Sequence, residues 1–275
     1  MRKFLVLVCA VGALVAAALS PAVASAWAPA ASASIHPGVM TFTDGAQCTS
    51  NFVFSDSSNV YLGQAAHCSG TGSQTDTNGC TSGSLPIGTP VDVTGASKPG
   101  TLVYNSWRTM QAKGESNADT CQFNDLALVK LDPADVGSVN PSVPGLGGPT
   151  GVGGVGGLGS TVYSYGNSEL RGGVTKLSPK QGTVVQNEGN GWSHDVLTVS
   201  PGIPGDSGSG FMNGSGQAIG VLSTLQIAPL AGSNGVGDIG KEIAYMQANS
   251  SFSGTQLVPG TQPFNANLVQ AILGA

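Results

Sequence analysis

Short apolar or alternating runs, each closed by Gly, Pro, Asn or Asp, repeat along most of this chain and constrain its fold more than any other feature. Asn51–Phe54, Val60–Gly63, Pro90–Val93, Gly100–Tyr104 and Leu126–Leu131 form one set. Thr161–Tyr165, Gly172–Lys176, Gly182–Gln186, Asp195–Val199, Gly210–Met212 and Ala218–Leu225 form a second. Runs this short, with turn residues between them and no intervening helical periodicity, read as antiparallel strands of a barrel or sandwich rather than as βαβ units. Composition agrees. Only 9% of residues are charged and 42 are Gly, so strong helix formers are scarce and turn formers plentiful. The 40% hydrophobic share still supplies a core.

Between the two sets, Val136–Ser160 is dense in Gly and Pro and reads as a flexible connection between two subdomains. Its Gly151–Gly159 stretch lacks the strand–turn–helix setting and the Lys-Ser/Thr ending of a phosphate loop. Two helices are expected late in the chain. Asp238 caps a segment in which Ile239, Ile243 and Met246 recur at helical spacing, and Asn265 or Asn267 precedes Leu268, Val269, Ile272 and Leu273, with Gly274 as the stop.

The start of the chain has a different character. Arg2 and Lys3 precede an apolar run from Phe4 to Leu19, and Ala24-Ser25-Ala26 has the small-x-small form of a cleavage site. That order is a secretory leader over residues 1–26, which implies an extracellular protein with no membrane association after removal. The formal net charge, −5 for the whole chain, becomes −7 without the leader. With no basic patch, nucleic-acid binding is excluded as an expectation. Cys9 falls in the leader, so Cys48, Cys68, Cys80 and Cys121 remain. An even number in an exported chain predicts two disulfides, with three pairings open. No C-x-x-C occurs and the histidines are scattered, so neither a metal nor a cofactor is expected.

Three segments carry residues suited to acyl transfer. His67, in Gln64-Ala65-Ala66-His67-Cys68, follows a strand and adjoins a cysteine whose disulfide fixes the backbone of a general base. Asp125 stands directly before the apolar run Leu126–Leu131, where a part-buried carboxylate needs donors such as an imidazole N–H. Ser207, in Gly205-Asp206-Ser207-Gly208-Ser209-Gly210, has glycines on both sides that allow a tight turn, and the N–H groups of Gly205 and Ser207 are candidates for an oxyanion hole. Chain order is selective. Every histidine precedes Ser207, which is incompatible with the Ser, acid, His order of an α/β-hydrolase, and Gly205–Ser209 is not a nucleophile elbow.

These three segments, in the order His67, Asp125, Ser207 and separated by 58 and 82 residues, resemble the signatures of chymotrypsin-like (trypsin-fold) serine peptidases, in a secreted bacterial type. The resemblance implies an all-β protein of two six-stranded antiparallel Greek-key β-barrels with a C-terminal helix. The corresponding organisation is residues 1–26 as leader, 27–40 as an N-terminal segment, 41–145 as the first barrel with His67 and Asp125, and 146–275 as the second with Ser207. It also implies a disulfide Cys48–Cys68, with Cys80–Cys121 as the remaining pair. A monomeric serine endopeptidase acting on protein or peptide substrates follows from the resemblance. A catalytically inactive binding or adhesion protein on the same fold is the alternative.

The departures from the family concern specificity and activation. Pro201 stands six residues before Ser207, where trypsin has an acid, and no acid occurs between Asp195 and Asp206. With Ser223 and Thr224 on the strand that resembles the substrate-pairing strand, and Leu225 where a glycine often opens the pocket, Pro201, Ser223, Thr224 and Leu225 are the expected substrate-binding residues. A preference for uncharged side chains over Arg or Lys follows. No Ile-Val-Gly-Gly amino terminus is present to pair with Asp206, so an internal cation is expected, either of the two mature arginines, Arg108 and Arg171, or a lysine.

Overall fold

The computed structural model describes residues 27–73, 75–225 and 231–275; the expected leader lies outside them. The strands are β1 (Met40–Thr43), β2 (Ala46–Thr49), β3 (Val53–Ser55), β4 (Val60–Ala65), β5 (Pro90–Val93), β6 (Gly100–Asn105), β7 (Leu126–Lys130), β8 (Thr161–Tyr165), β9 (Pro179–Glu188), β10 (Ser193–Thr198), β11 (Gly210–Asn213), β12 (Ala218–Leu225), β13 (Asn234–Asp238) and β14 (Gln256–Leu257). The helices are α1 (Ser106–Lys113), α2 (Ala118–Phe123), α3 (Ile239–Asn249) and α4 (Leu268–Gly274).

The later strands close a six-stranded barrel in the order β10-β13-β12-β11-β8-β9. All its pairs are antiparallel, and β10 pairs with β13 rather than with β11, its successor in sequence, which is a Greek-key crossing. The earlier strands form a curled eight-stranded sheet, β14-β3-β4-β7-β6-β5-β1-β2, in place of a second fully closed barrel. Its gap has a local cause. β2 and β3 are separated only by Ser50, Asn51 and Phe52 and act as one bent strand. The near half pairs with β1 and the far half with β4, so the sheet curls round through the covalent chain. Past α3 the chain returns to this sheet, where β14 adds to β3.

β4 is buried at all six positions and β7 at its first four. Side chains alternate along a strand, and both faces here have apolar partners. Leu62, Ala127 and Val129 point into the curled sheet's own core. Tyr61, Ala65, Leu126 and Leu128 join Tyr163, Met212, Val221 and Ile243 in a second cluster that welds the sheet to the barrel. Each large side chain so buried contributes about 1.5–3 kcal/mol. The ends of β4 and β7 are therefore held from two sides.

Both late helices form where their caps predict. Asp238 accepts from Lys241 N–H and Asn267 from Gln270 N–H. Gly172–Lys176 is not a strand but lies among short 3-10 turns, with Gly172 and Gly173 at φ of 60° and 79°, a conformation that a ladder cannot use. The Gly-rich connection is packed rather than free: Leu146 and Val139 are fully buried, and a Cβ on Gly145 or Gly147 would strike the backbone of Ala271 or Pro263. Among the described residues no helix is long and apolar enough to cross a membrane.

Candidate active site

Antiparallel pairing of β4 with β7 in the register Ala65↔Leu126 brings the residue two beyond β4 beside the residue just before β7. These are His67, on a 3-10 turn, and Asp125. The His67 backbone N–H donates to Asp125 Oδ1 at 2.9 Å, and Nδ1 lies 2.7 Å from Oδ2. A carboxylate only accepts, so Nδ1 carries the proton and Nε2 is the basic nitrogen. Burial opposes a charged imidazole, but the Asp125 charge and hydrogen bond outweigh it and hold the His67 pKa above its ordinary 6.5. Asp125 is 2% exposed and receives a third donor, Ser223 Oγ, at 2.6 Å. Its carbonyl accepts from Ala66 N–H at 2.7 Å, and its N–H donates to Glu242 Oε1 at 2.8 Å. Ser223 thus contacts the acid as well as lining the cleft. Neither that contact nor the one with Glu242 was legible in sequence, because both partners lie about a hundred residues away.

Ser207 sits on the loop between β10 and β11. Its carbonyl accepts from Thr49 N–H at 2.8 Å, and the loop pairs with β12 through Gly208 N–H to Leu222 O and Leu222 N–H to Ser209 O, at 2.8 and 2.9 Å. A Cβ on Gly208, at φ +87°, would lie 2.9 Å from Ala65 N. Only glycine allows the loop this close to the end of β4, two residues from His67. Gly205 is equally constrained: φ is +94°, a Cβ would meet Gln47 Oε1 at 1.9 Å, and its carbonyl is held by Thr49 Oγ1 at 2.7 Å. Among the described residues no acceptor takes the N–H of Gly205 or of Ser207. His67, Asp125, Ser207 and Gly205 all line one cleft of about 1000 Å³. Ser207 Oγ makes no hydrogen bond to the imidazole, and such contacts commonly tighten only with substrate.

Asp206 is fully buried. Arg171 grips it with both terminal nitrogens, Nη1 on Oδ1 and Nη2 on Oδ2, the latter at 2.6 Å, and Lys180 Nζ reaches Oδ2 at 2.6 Å. Burial alone would raise the Asp206 pKa, but the Arg171 hydrogen bonds and the Lys180 charge bring it below the ordinary 3.8. Of Arg108 and Arg171 it is Arg171 that pairs, jointly with a lysine, while Arg108 donates to Ser84 O.

Among the expected substrate-binding residues, Ser223, Thr224 and Leu225 line the cleft with Leu222. Pro201 does not. Its carbonyl accepts from Lys180 Nζ at 3.0 Å, which turns it away, and Gly202 and Ile203 take the wall instead. Glu188 also faces the cleft. It was missed because it comes from β9, where it pairs across to Ser193 on β10. Burial and the nearby charge of Asp195 push its carboxyl up.

The sulfurs bond Cys48 to Cys68 and Cys80 to Cys121. Cys48, His67 and Cys68 bring possible ligand atoms within 4.8 Å of one another, but both thiols are spent in the disulfide and cannot serve as thiolate ligands. The other histidines lie apart from the cleft, His36 on the Pro37 carbonyl and His194 between Asn187 and Asp238.

Two β-bodies with a cleft at their junction, one a closed six-stranded barrel and the other a curled sheet, match the trypsin-like fold of solved chymotrypsin-like bacterial serine proteases. The chain is similar to Thermobifida fusca Protease A, with a TM-score of 0.54 at 20% identity, covering 82% of this chain and 99% of that one. Nocardiopsis protease follows at 0.50 and 19%, covering 81% and 98%. Cellulomonas bogoriensis chymotrypsin stands at 0.50 and 17%, covering 82% and 98%. No protein-family model and no curated protein matches the chain. At these identities the likeness establishes the fold.

Proposed function

We propose that this chain is a secreted serine endopeptidase that cleaves peptide bonds through an acyl-enzyme. The observation that carries the proposal is the line Ser223–Asp125–His67, held by hydrogen bonds of 2.6 and 2.7 Å and ending in the cleft that Ser207 lines. Ser207 Oγ attacks the scissile carbonyl as His67 Nε2 takes its proton. The tetrahedral oxyanion is met by the N–H groups of Gly205 and Ser207. The imidazolium, stabilised by Asp125, then protonates the leaving amine, and water repeats the cycle on the ester. Asp206, fixed by Arg171 and Lys180, sets the conformation of the oxyanion loop from within the chain. Export rests on the Arg2–Ala26 leader pattern.

The cleft wall formed by Gly202, Ile203, Leu222 and Thr224 supports a preference for an uncharged residue before the scissile bond. The second reading is a non-catalytic protein on this fold, because the likeness to solved proteases, at 20% identity or less, reaches only the fold. A fluorophosphonate probe separates the two. Labelling of the wild type that disappears in Ser207→Ala, together with casein hydrolysis, is expected. A wild type that neither labels nor hydrolyses casein makes the chain a non-catalytic relative.

A further inference from the structure

Against the main chain of Asp125 lies a second carboxyl that the proposed reaction does not use. Glu242 projects from the first turn of α3 and is fully buried. Its Oε1 accepts the Asp125 main-chain N–H at 2.8 Å, while Oε2 is buried with no hydrogen-bond partner among the described residues. Room for it comes from Gly237, where a Cβ would lie 2.7 Å from Oε1. A carboxyl in the interior is costly unless hydrogen-bonded, and this one has a single partner, the backbone N–H of the residue that orients the imidazole.

We propose that Glu242 is a positioning residue: from α3 its carboxyl pins the main chain of Asp125 and so fixes where the Asp125 carboxylate meets His67. The inference rests on the reading of the site as a Ser-His-Asp triad. The Asp125 backbone is clamped from two sides, its carbonyl by Ala66 N–H, next to His67, and its N–H by Glu242. Loss of the second clamp frees the start of β7 and leaves a buried N–H orphaned.

Glu242 does this from a place that disfavours a negative charge. The titratable groups around it are Asp125 at the start of β7, Asp238 at the N-cap of α3 and Tyr104 on β6. None supplies a positive charge. Burial raises the Glu242 pKa well above the ordinary 4.5, and the charges of Asp125 and Asp238 add to that against the single backbone hydrogen bond. Of the two adjacent carboxyls, Asp125 accepts from three donors and Glu242 from one.

The test compares Glu242→Leu, which keeps volume and removes the acceptor, with Glu242→Gln, which keeps an uncharged acceptor. Glu242→Met stands in if the Leu variant does not fold. Two readouts are used: kcat and KM on a peptide substrate, and the NMR titration midpoint of His67 in a Ser207→Ala background, which needs no turnover. In the apolar variant kcat is expected to fall about tenfold with KM within about twofold. The His67 midpoint is expected to drop by about one unit as the carboxylate loosens from the imidazole. Glu242→Gln is expected to recover most of both. An apolar variant that keeps the wild-type kcat and midpoint overturns the proposal. So does a Gln variant whose midpoint drops like that of Leu, because Glu242 then acts through a negative charge. Wild-type protein without hydrolytic activity, but with the midpoint shift present, sinks the peptidase reading and leaves the positioning role standing.

Discussion

The Asp125 carboxylate takes the His67 backbone N–H on one oxygen and the His67 ring nitrogen on the other, at 2.9 and 2.7 Å. Main chain and side chain of one residue are thus held by one carboxylate, and the imidazole can neither rotate nor change tautomer without breaking a bond. That relation sets the pH behaviour expected of the site. A general base must be neutral, and the Asp125 charge holds the His67 pKa above 6.5. Hydrolysis is therefore expected to be lost as pH falls through that raised value, with the acid limb above 6.5. A kcat/KM profile flat over about pH 5–8 contradicts the role. The same shift favours the folded state fully below the unfolded pKa, and the benefit disappears as pH rises through the folded one.

Ser223→Ala removes one of three donors to a buried carboxylate. The carboxylate is then shared with fewer donors and binds the imidazolium more tightly. The acid limb of the profile is expected to move to higher pH, with kcat lowered about tenfold. A limb that moves down excludes Ser223 as a donor to Asp125.

Asp206 is expected to tie stability to its cations. Its folded pKa is depressed, so its contribution is present above the unfolded value near 3.8 and is lost as pH falls through the lower folded value. Arg171→Ala combined with Lys180→Met strands a buried charge and is expected to cost about 3–5 kcal/mol. Urea denaturation at neutral pH reads the loss, and a double variant as stable as the wild type counts against the pairing.

The Cys48–Cys68 bridge closes a separation of 20 residues and Cys80–Cys121 one of 41. Chain entropy gives each about 3–4 kcal/mol, so paired Cys→Ala variants at either site are expected to melt at lower temperature by similar amounts. Activity measured well below melting is expected to separate them. Only the first bridge adjoins His67, and equal losses of kcat in both variants argue against its local role.

Peptide-library profiling is expected to return uncharged residues before the cleaved bond. An Arg or Lys preference that vanishes in Glu188→Gln reverses this and assigns recognition to Glu188, the cleft acid contributed by β9.

Local chemistry determined much of this protein. Caps at Asp238 and Asn267, β-forming runs, and three motifs in one chain order were readable because each depends on neighbours a few residues away. Helix α1 also carried a signal, Asn105 as its N-cap and Gly114 as a left-handed stop at φ 66°, but its polar stretch Ser106–Lys113 showed no apolar stripe and went unread. β13, Asn234–Asp238, was obscured by its glycines. Only the tertiary structure could decide what meets across the cleft. Nothing in the order of residues says that Ser223 and Glu242 converge on Asp125, that Arg171 and Lys180 share Asp206, or that Glu188 rather than Pro201 faces the cleft. Those contacts join residues far apart in the chain, some within the barrel and some across the cleft. Their partners are set by register and by the way the bodies pack, and in a buried, low-dielectric interior each charge takes whichever donor that packing delivers.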